Sequence, residues 1–501
     1  MIAPIPGAYI VDEPALFTAV GFLFFALCAT LFAGHRARGN AGHPLLYWSG
    51  VLVQVGSAVA LPFVSDLLTF FILWEFISLG TVAILFCEPE RERLLRWYLP
   101  IQIAAAVALL IAIAMHAAES GSFSLSFDAD GAAGNAGGLA AGSVFALIAI
   151  SIKAAVFPMH IWMVETYPNV RPVTTVILSA FGTKTGVFAA LRLIPGLAGL
   201  EVFGAVSALL AVLYALRQKT LRRFLSFHIA SQIGYMIAGI GAVAATAQLA
   251  GIYHLSNHVM YKGLLLMTAA ILARRFSEEN MYTIRDRAER TNWLLFIAAL
   301  IGALSISGVP PFNGFVSKAF LKANMGSSVS YWLLVAASVG TAMSFTKFLW
   351  LSFLGGHIAS RRQVADVSTS GAATVRETAE VRWVVGGEGT AMLLLSLACM
   401  GMTFVPLLLF GDMHLSYAFS RSALIGGTWP AVLGAAGYFL VYRYMLPVLH
   451  RMPTGRIPIR MAARLWNGWY RSLRSLHTGD LRDSIGWMVA GLVVIWVVML
   501  L

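Results

Sequence analysis

The chain has 501 residues, of which 59% are hydrophobic and only 12% are charged, and it carries a formal net charge of +12. A mean hydropathy of +0.78 excludes a soluble domain of this length and predicts a polytopic membrane protein. The three cysteines, Cys28, Cys87 and Cys399, are scattered along the chain. Because they show no paired spacing, we expect neither a disulfide framework nor a cysteine metal site.

Apolar runs of about 20 residues, long enough to cross about 30 Å of hydrocarbon, predict an all-α polytopic membrane protein with about 14 transmembrane helices. In chain order the helices are placed near 15–33, 45–64, 67–86, 97–116, 143–163, 173–194, 199–216, 225–247, 250–273, 293–325 (interrupted), 331–354, 389–410, 425–446 and 484–501. The first run shows no small-residue cleavage site, so we expect a permanent helix rather than a removed signal peptide.

Lys and Arg residues gather in alternate loops, as expected when the apolar runs cross a membrane. The basic loops include HRARGNAGH, ERERLLR and RQKTLRR, whereas the opposite loops include the acidic, Gly-rich SGSFSLSFDADGAAGNAGG. This asymmetry predicts basic loops in the cytoplasm, both termini outside, and a multi-pass location in the cell (inner) membrane. It also accounts for the positive charge without a nucleic-acid partner.

One basic segment, Arg456–Leu476, places apolar and Arg residues at roughly helical spacing. Such a segment is expected to lie flat at the cytoplasmic headgroups. Two interpretations remain open, namely a connector that binds anionic membrane lipid and a strut that contacts a neighbouring subunit.

Several titratable residues interrupt the apolar runs. A charged side chain at bilayer depth costs roughly 3 kcal/mol or more, so such residues usually face a protein or water-filled interior. Lysine loses its proton when its surroundings disfavour the charge, whereas arginine stays charged, so buried lysines with histidines between them predict a proton path. The candidate relay residues are Glu75, Lys153, Lys184, His228, His254, His258, Lys262 and Lys318.

Each of these residues also has a purely structural interpretation. Lys322 and Lys347 lie near helix ends, where a lysine often extends its ammonium to the membrane surface. The pair His254 and His258 is compatible with hydrogen-bonded packing. A haem or metal site is disfavoured, because bis-histidine haem ligands normally come from two facing helices.

Two of the lysines lie beside helix breakers. Pro158 follows Lys153, and the segment GVPPFNG precedes Lys318. Two interrupted hydrophobic segments in corresponding places indicate inverted repeats with ion sites at the breaks. We therefore expect two related halves, at 65–220 and 221–410, between an N-terminal helix pair at 1–64 and C-terminal helices with the basic amphipathic connector at 411–501.

A series of motifs carries a resemblance to a known family. In order, the chain contains WEFISLG, KAAVFPMHIWMVETYPNVRPVTTVIL, the Lys184 helix, QKTLRRFLSFHIASQIGYM, HLSNHVMYKGLLL and SISGVPPFNGFVSKAFL. Over roughly residues 60–355 these motifs resemble the proton-translocating antiporter-like subunits of respiratory complex I and the D-like subunits of the Mrp cation/proton antiporters.

The resemblance implies roles for the relay residues. Glu75 resembles the glutamate that forms an ion pair with the broken-helix lysine, here Lys153, and Lys184 resembles the next lysine of the half-channel.

In the second half, His254, His258 and Lys262 resemble the bridge between the halves, and Lys318 takes the place of the terminal broken-helix residue. Lys318 and His228 together favour the Mrp-type and hydrogenase-associated branches. The resemblance also implies about four helices before the glutamate helix, where this sequence predicts two.

These observations predict a proton-translocating membrane subunit of a multi-subunit ion-pumping complex of the Mrp or complex I/hydrogenase type. The expected partners are other membrane subunits, a soluble redox or zinc-bearing subunit, membrane lipid, H⁺ and Na⁺. No cofactor is expected, since the sequence shows no nucleotide, flavin or iron–sulfur motif. Two alternatives remain open, namely a proton-coupled subunit of a bicarbonate/CO₂ uptake complex and a non-conducting membrane anchor.

Overall fold

A computed structural model describes residues 9–34, 43–125, 141–287, 292–326, 328–354, 386–405 and 419–442. Within these ranges the protein consists of helices, and its β-structure is limited to three isolated bridges. The last predicted transmembrane run, 484–501, and the basic segment Arg456–Leu476 lie outside the described residues.

The helices before the middle of the chain, in order, are α1 Glu13–Ala33, α2 Pro44–Ala60, α3 Leu67–Phe86, α4 Arg91–Ser120, α5 Ala141–Lys153, α6 Ile161–Thr166, α7 Pro172–Leu178, α8 Gly182–Leu193 and α9 Leu200–Leu216. Asp66 precedes α3 and its side chain accepts a hydrogen bond from the backbone N–H of Thr69. This cap explains why α3 begins where the apolar run begins.

The later helices are α10 Leu221–Gly241, α11 Ala245–Phe276, α12 Met281–Arg287, α13 Trp293–Ser307, α14 Asn313–Ala323, α15 Ser328–Leu349, α16 Gly387–Gly401 and α17 Arg421–Gly437. Short π-helical segments, Trp350–Leu354 and Tyr438–Tyr442, extend α15 and α17.

Nine spans in the described part of the chain are long and apolar enough to cross a membrane. They and the shorter apolar helices coincide with the predicted runs, so the all-α polytopic fold is confirmed. The run at 143–163 ends as a helix at Lys153 and restarts at Ile161, so the break expected beside Pro158 is present. The run at 173–194 needs correction, because it forms two helices that are separated by the turn Ser179–Phe181.

The central helices are α10 and α11. Every residue in the apolar window of α10 is buried, and α11 packs against α1, α7, α13, α14 and α16. Close approach between α9 and α10 depends on glycine, because a Cβ on Gly234 would lie 2.5 Å from the backbone N of Ala208. Small residues at such contacts allow transmembrane helices to pack backbone against backbone.

Two stretches of non-helical backbone interrupt the membrane-spanning helices at the lysines. The first break, 154–160, follows Lys153 directly, and Ala155 there has a positive φ of 58°. The second break, 308–312, separates α13 from α14 and begins with Gly308 at a φ of +75°. Each break leaves backbone carbonyls without helical partners, and such carbonyls are available to side chains of neighbouring helices.

Candidate functional site

Lys153 ends α5 and is buried against α3. Its ammonium donates to the carbonyl oxygen of Trp74 at 3.1 Å and to Ser78 Oγ at 2.5 Å. It also lies 4.9 Å from the centroid of the Trp74 ring. Since Trp74 and Ser78 are four residues apart, they present their acceptors on one face of α3.

Glu75 does not form the ion pair that the resemblance implied. Among the described residues no carboxylate oxygen lies within 4.0 Å of the Lys153 ammonium, and Glu75 Oε1 is buried without a hydrogen-bond partner. The correction has a geometric reason, because Glu75 is turned about 100° around the helix axis from Trp74. Glu75 still acts on Lys153 through space.

Lys184 lies on α8 just after the turn Ser179–Phe181. Its side chain is fully buried, and its ammonium donates to the carbonyl oxygen of Ser179 at 2.6 Å and to Thr183 Oγ1 at 3.1 Å. Gly186, half a turn further on, has no side chain to separate α8 from the first break. A Cβ there would lie 2.6 Å from the backbone N of Ala154. The fold thus places the Lys184 helix directly against the end of the Lys153 helix.

The predicted bridge residues His254, His258 and Lys262 lie on the buried helix α11. His254 is hydrogen-bonded to Ser317 Oγ through Nδ1 at 2.8 Å and to Gln232 Oε1 through Nε2 at 3.1 Å. These contacts join α11 to α14 on one side and to α10 on the other.

Further along α11, Lys262 donates to the carbonyl oxygen of Leu225 at 3.3 Å. His258 is fully buried, and in the described structure neither of its ring nitrogens has a hydrogen-bond partner. Lys184 of α8 and Lys318 of α14 both act on His258 through space. An imidazole within electrostatic reach of two buried lysines is chemically able to accept and release a proton.

His228 lies inside an aromatic enclosure. Its ring centroid is 4.7 Å from the rings of Phe224 and Phe345, and its two nitrogens are buried without hydrogen-bond partners in the described residues. Lys262, Lys318 and Lys347 act on it through space. Buried polar groups are usually hydrogen-bonded, and the imidazoles of His228 and His258 are exceptions among the described residues.

Lys318 lies on α14 just after the second break. Its ammonium donates to the carbonyl oxygen of Ile306 at 2.7 Å and lies 4.6 Å from the centroid of the Tyr235 ring. Pro310 is four residues after Ile306 and has no N–H, so this carbonyl has no helical donor. Lysine supplies the donor that proline removes.

Lys347 does not extend to the membrane surface. It is fully buried on α15, and its ammonium donates to the carbonyl oxygens of Leu216 at 2.8 Å and Gln218 at 2.6 Å. These carbonyls end α9, where the helix dipole favours a cation.

The buried lysines share one feature that sequence reasoning missed. Their ammonium groups donate to backbone carbonyls, most of them at breaks or helix ends, rather than to carboxylates. Sequence reasoning also missed the acceptors Gln232 and Ser317. The available signal for Gln232 was its spacing of four residues from His228, and for Ser317 its place next to Lys318. No cluster of three or more His, Cys, Asp or Glu that could hold a metal occurs within the described ranges.

A polar cluster on the side of the basic loops fixes the segment between α6 and α7. The buried carboxylate of Glu88 accepts from the backbone N–H of Arg171 at 2.7 Å, from Arg171 Nε at 3.0 Å and from Thr174 Oγ1 at 2.6 Å. Arg222 donates to Thr175 Oγ1 at 3.0 Å and pairs with Glu279. The cluster joins the end of α3 to the segment that leads to Lys184, and joins this segment to α10.

Fold and site together define the class of protein, which is an all-α polytopic membrane protein with buried lysines and histidines on several of its helices. Comparisons with known proteins identify the family within this class. The family model for the transmembrane part of NADH:quinone oxidoreductase and Mrp antiporter subunits matches residues 64–344. The chain belongs to this family, and the resemblance drawn from the motifs is confirmed.

Curated relatives match at moderate identity. The chain is 29% identical to hydrogenase-4 component B of Escherichia coli (strain K12) over 290 residues, which cover 53% of this chain and 43% of that protein. It is also 29% identical to the A component of the Na(+)/H(+) antiporter of Alkalihalophilus pseudofirmus over 301 residues, which cover 54% of this chain and 36% of that protein. The chain spans less than half the length of each of these relatives.

Two solved structures show the same fold. A chain of the Mrp complex from Dietzia sp. matches with a TM-score of 0.67 and 21% identity, over 89% of this chain and 88% of that chain. A chain of the membrane-bound sulfane sulfur reductase, an archaeal respiratory membrane complex, matches with a TM-score of 0.68 and 18% identity, over 97% and 89% of the two chains.

Proposed function

We propose that this chain is a proton-translocating membrane subunit of a multi-subunit ion-pumping complex. One observation carries the proposal, namely the array of buried lysines and histidines that extends from Lys153 through His258 to Lys318. Ionisable groups at bilayer depth are costly, and their usual role is to mark an ion or proton path. The family and the relatives named for hydrogenase and Na(+)/H(+) antiport support the same conclusion.

The first break gives a physical mechanism for holding and releasing a proton. The protonated Lys153 is stabilised by the Trp74 carbonyl and Ser78 hydroxyl, and through space by Glu75. All three groups lie on α3, so one displacement of α3 weakens all three interactions together. Lys153 then gives up its proton towards Lys184 and the bridge residues, because desolvation disfavours an uncompensated charge.

The exposed face of α3 supports contact with a neighbouring membrane subunit. Glu75 is only half-buried in this chain, and Ile72, Phe76 and Leu79 on the same helix are exposed. A partly exposed carboxylate at bilayer depth would be costly against lipid. A neighbouring subunit that covers this face would remove the cost and would be placed to displace α3.

We further propose the topology and the host of the complex. The basic loops lie in the cytoplasm of a cell with the chain in its inner membrane, and both termini lie outside. H⁺ is the ion of the relay, with Na⁺ as an exchanged ion if the host is Mrp-like. The soluble partner distinguishes the alternative hosts. A redox subunit belongs to a hydrogenase-like complex, and a zinc-bearing subunit belongs to a bicarbonate/CO₂ uptake complex.

The test is proton transport by the native complex in vesicles that contain a pH-sensitive dye. Lys153→Met should lower transport by at least about a hundredfold, since a proton-carrying group is lost, while the complex assembles normally. Lys219→Met, which changes an exposed lysine of the basic loop, is the matched control and should transport normally. Undiminished transport by Lys153→Met would contradict the proposal and favour a non-conducting anchor.

The host is identified by purifying the native complex in mild detergent and analysing its subunits by mass spectrometry. Subunits with flavin, iron–sulfur or nickel sites identify a complex I-like or hydrogenase machine. Small Mrp-type membrane subunits identify an antiporter, and a zinc-bearing soluble subunit identifies a carbon-uptake system.

A further inference from the structure

A cavity of about 170 Å³ lies between α14 and α17, beyond the last residue of the relay. Its lining is mainly small and polar, and includes Ser307, Lys318, Lys322, Tyr331, Ser338 and Gly426. A volume of this size holds several water molecules, and the hydroxyl groups and ammonium groups of the lining supply polar partners for them. Among the described residues no Asp or Glu lines it.

Lys322 is bound in the same way as Lys318. Its ammonium donates to the carbonyl oxygen of Gly426 at 3.1 Å. Pro430, inside α17, is four residues after Gly426 and has no N–H, so that carbonyl lacks its helical donor. At both sites a proline frees a carbonyl on a neighbouring segment, and a lysine of α14 binds the freed carbonyl.

The two lysines lie four residues apart on α14 and therefore on one face of the helix. Lys322 acts electrostatically on Lys318. Two like charges beside one small buried cavity disfavour each other, so a proton that arrives at one lysine promotes release from the other.

We propose that Lys322 is a further proton-binding residue, which exchanges protons with Lys318 across this cavity. In the step, an N–H bond of the Lys318 ammonium breaks and a new N–H bond forms at the lone pair of the neutral Lys322 amine, with water of the cavity carrying the proton between them. The Gly426 carbonyl holds the protonated Lys322. This inference rests on the proposed function.

A merely structural Lys322, which fastens α17 to α14, makes the opposite prediction for one substitution. Lys322→Arg keeps the positive charge and the donor for the Gly426 carbonyl, but arginine does not release its proton in proteins. A structural role is therefore rescued by arginine, whereas proton exchange is not. The adjoining cavity gives the longer side chain room.

The experiment measures proton transport by the intact complex in dye-loaded vesicles. Lys322→Arg and Lys322→Met should each lower transport by at least about tenfold, because both remove a group that takes up and releases protons. Lys219→Arg and Lys219→Met are matched controls and should transport normally. Wild-type transport by either Lys322 variant, in a complex with unchanged subunit content, overturns the inference.

Two further variants make the result specific. Pro430→Ala supplies an N–H for the Gly426 carbonyl, so Lys322 loses its partner and transport should fall by about threefold; an unchanged rate overturns the role of that carbonyl. Lys153→Met separates the two proposals. If Lys153→Met is inactive while the Lys322 variants are normal, the inference about Lys322 alone fails. If Lys153→Met is also normal, the proposed function fails.

Discussion

The two helix breaks share the same kind of backbone contact but differ in the charged side chains that lie nearby. At each one a buried lysine donates to a backbone carbonyl, and a glycine lets a neighbouring segment approach the break. The first break has a carboxylate, Glu75, within electrostatic range of its lysine. The second break has a second lysine, Lys322, and a cavity whose described lining contains no carboxylate.

The difference in nearby charge suits the two breaks to different steps of proton transfer. A nearby carboxylate stabilises a proton on Lys153, so the first break is suited to taking up and holding a proton. A nearby ammonium destabilises a proton on Lys318, so the second break is suited to releasing one. Under the proposed function, the pair of breaks gives the proton path through α11 a direction.

The largest expected effect tests the close backbone contact that a glycine allows at each break. A Cβ at Gly314 would lie 1.8 Å from the carbonyl oxygen of Ser305, whereas at Gly186 it would lie 2.6 Å from the N of Ala154. Gly314→Ala should destabilise the complex by about 3 kcal/mol or more, and Gly186→Ala by less, since both clash with backbone. Thermal unfolding of the purified complex measures this.

The control for both glycine variants is Gly56→Ala, since nothing lies within 4 Å of a Cβ there. It should leave the melting temperature unchanged or raise it slightly. Equal melting temperatures for Gly314→Ala and Gly56→Ala would show that close backbone contact at the second break is not required.

The next effect concerns the polar cluster that fixes the segment leading to Lys184. Glu88 is buried and accepts three hydrogen bonds, so Glu88→Gln should cost about 3 kcal/mol by leaving Arg171 without its counter-charge. Glu90→Gln removes an exposed pair with Arg93 and should cost less than about 1 kcal/mol. Melting temperatures that fall equally in the two variants would contradict this assignment.

A smaller effect tests the carboxylate of the first break. Glu75→Gln removes a charge that acts on Lys153 only through space, so proton transport should fall by about tenfold rather than vanish. The measurement is the initial transport rate in vesicles. A rate equal to that of the wild type would remove the electrical difference between the two breaks.

The smallest effect comes from making the second break resemble the first. Ser422 is exposed at the rim of the cavity in the first turn of α17, where a carboxylate is also favoured by the helix dipole. Ser422→Asp should stabilise protons on the two lysines and slow transport by about threefold. Ser422→Asn is the uncharged control, and equal rates for the two variants would show that charge at this rim does not govern release.

Much of the fold could be predicted from the sequence. The apolar run 67–86 coincides with α3 because Asp66 caps its first turn, and both lysine breaks follow from proline. The turn Ser179–Phe181 was missed because no proline lies in it, and its position depends on how Lys184 and α8 pack against the first break. Helix periodicity therefore located the elements but not this interruption.

For the candidate site, the sequence predicted which residues belong to it but not which atoms they contact. The motifs identified all eight relay residues, whose role remains a prediction, but not the acceptors of the lysines. An ion pair between Glu75 and Lys153 was expected because the family resemblance implied it, whereas in the structure Lys153 donates to the Trp74 carbonyl. Which carbonyl faces a side chain depends on helix rotation, which the sequence does not encode locally. The prolines at 310 and 430 are the exception, since each marks a carbonyl four residues earlier.

Because the buried lysines donate to backbone carbonyls, a change in their protonation also changes how firmly the neighbouring segment is held. An ammonium forms a stronger hydrogen bond than a neutral amine, so the departure of a proton loosens a backbone carbonyl of the neighbouring segment. At Lys153 that segment is α3, and at Lys318 it is the end of α13. Under the proposed function, α3 and the end of α13 therefore respond directly to the charge of these lysines, and their displacement is a route by which a passing proton changes the contacts of the chain with its proposed neighbouring subunits.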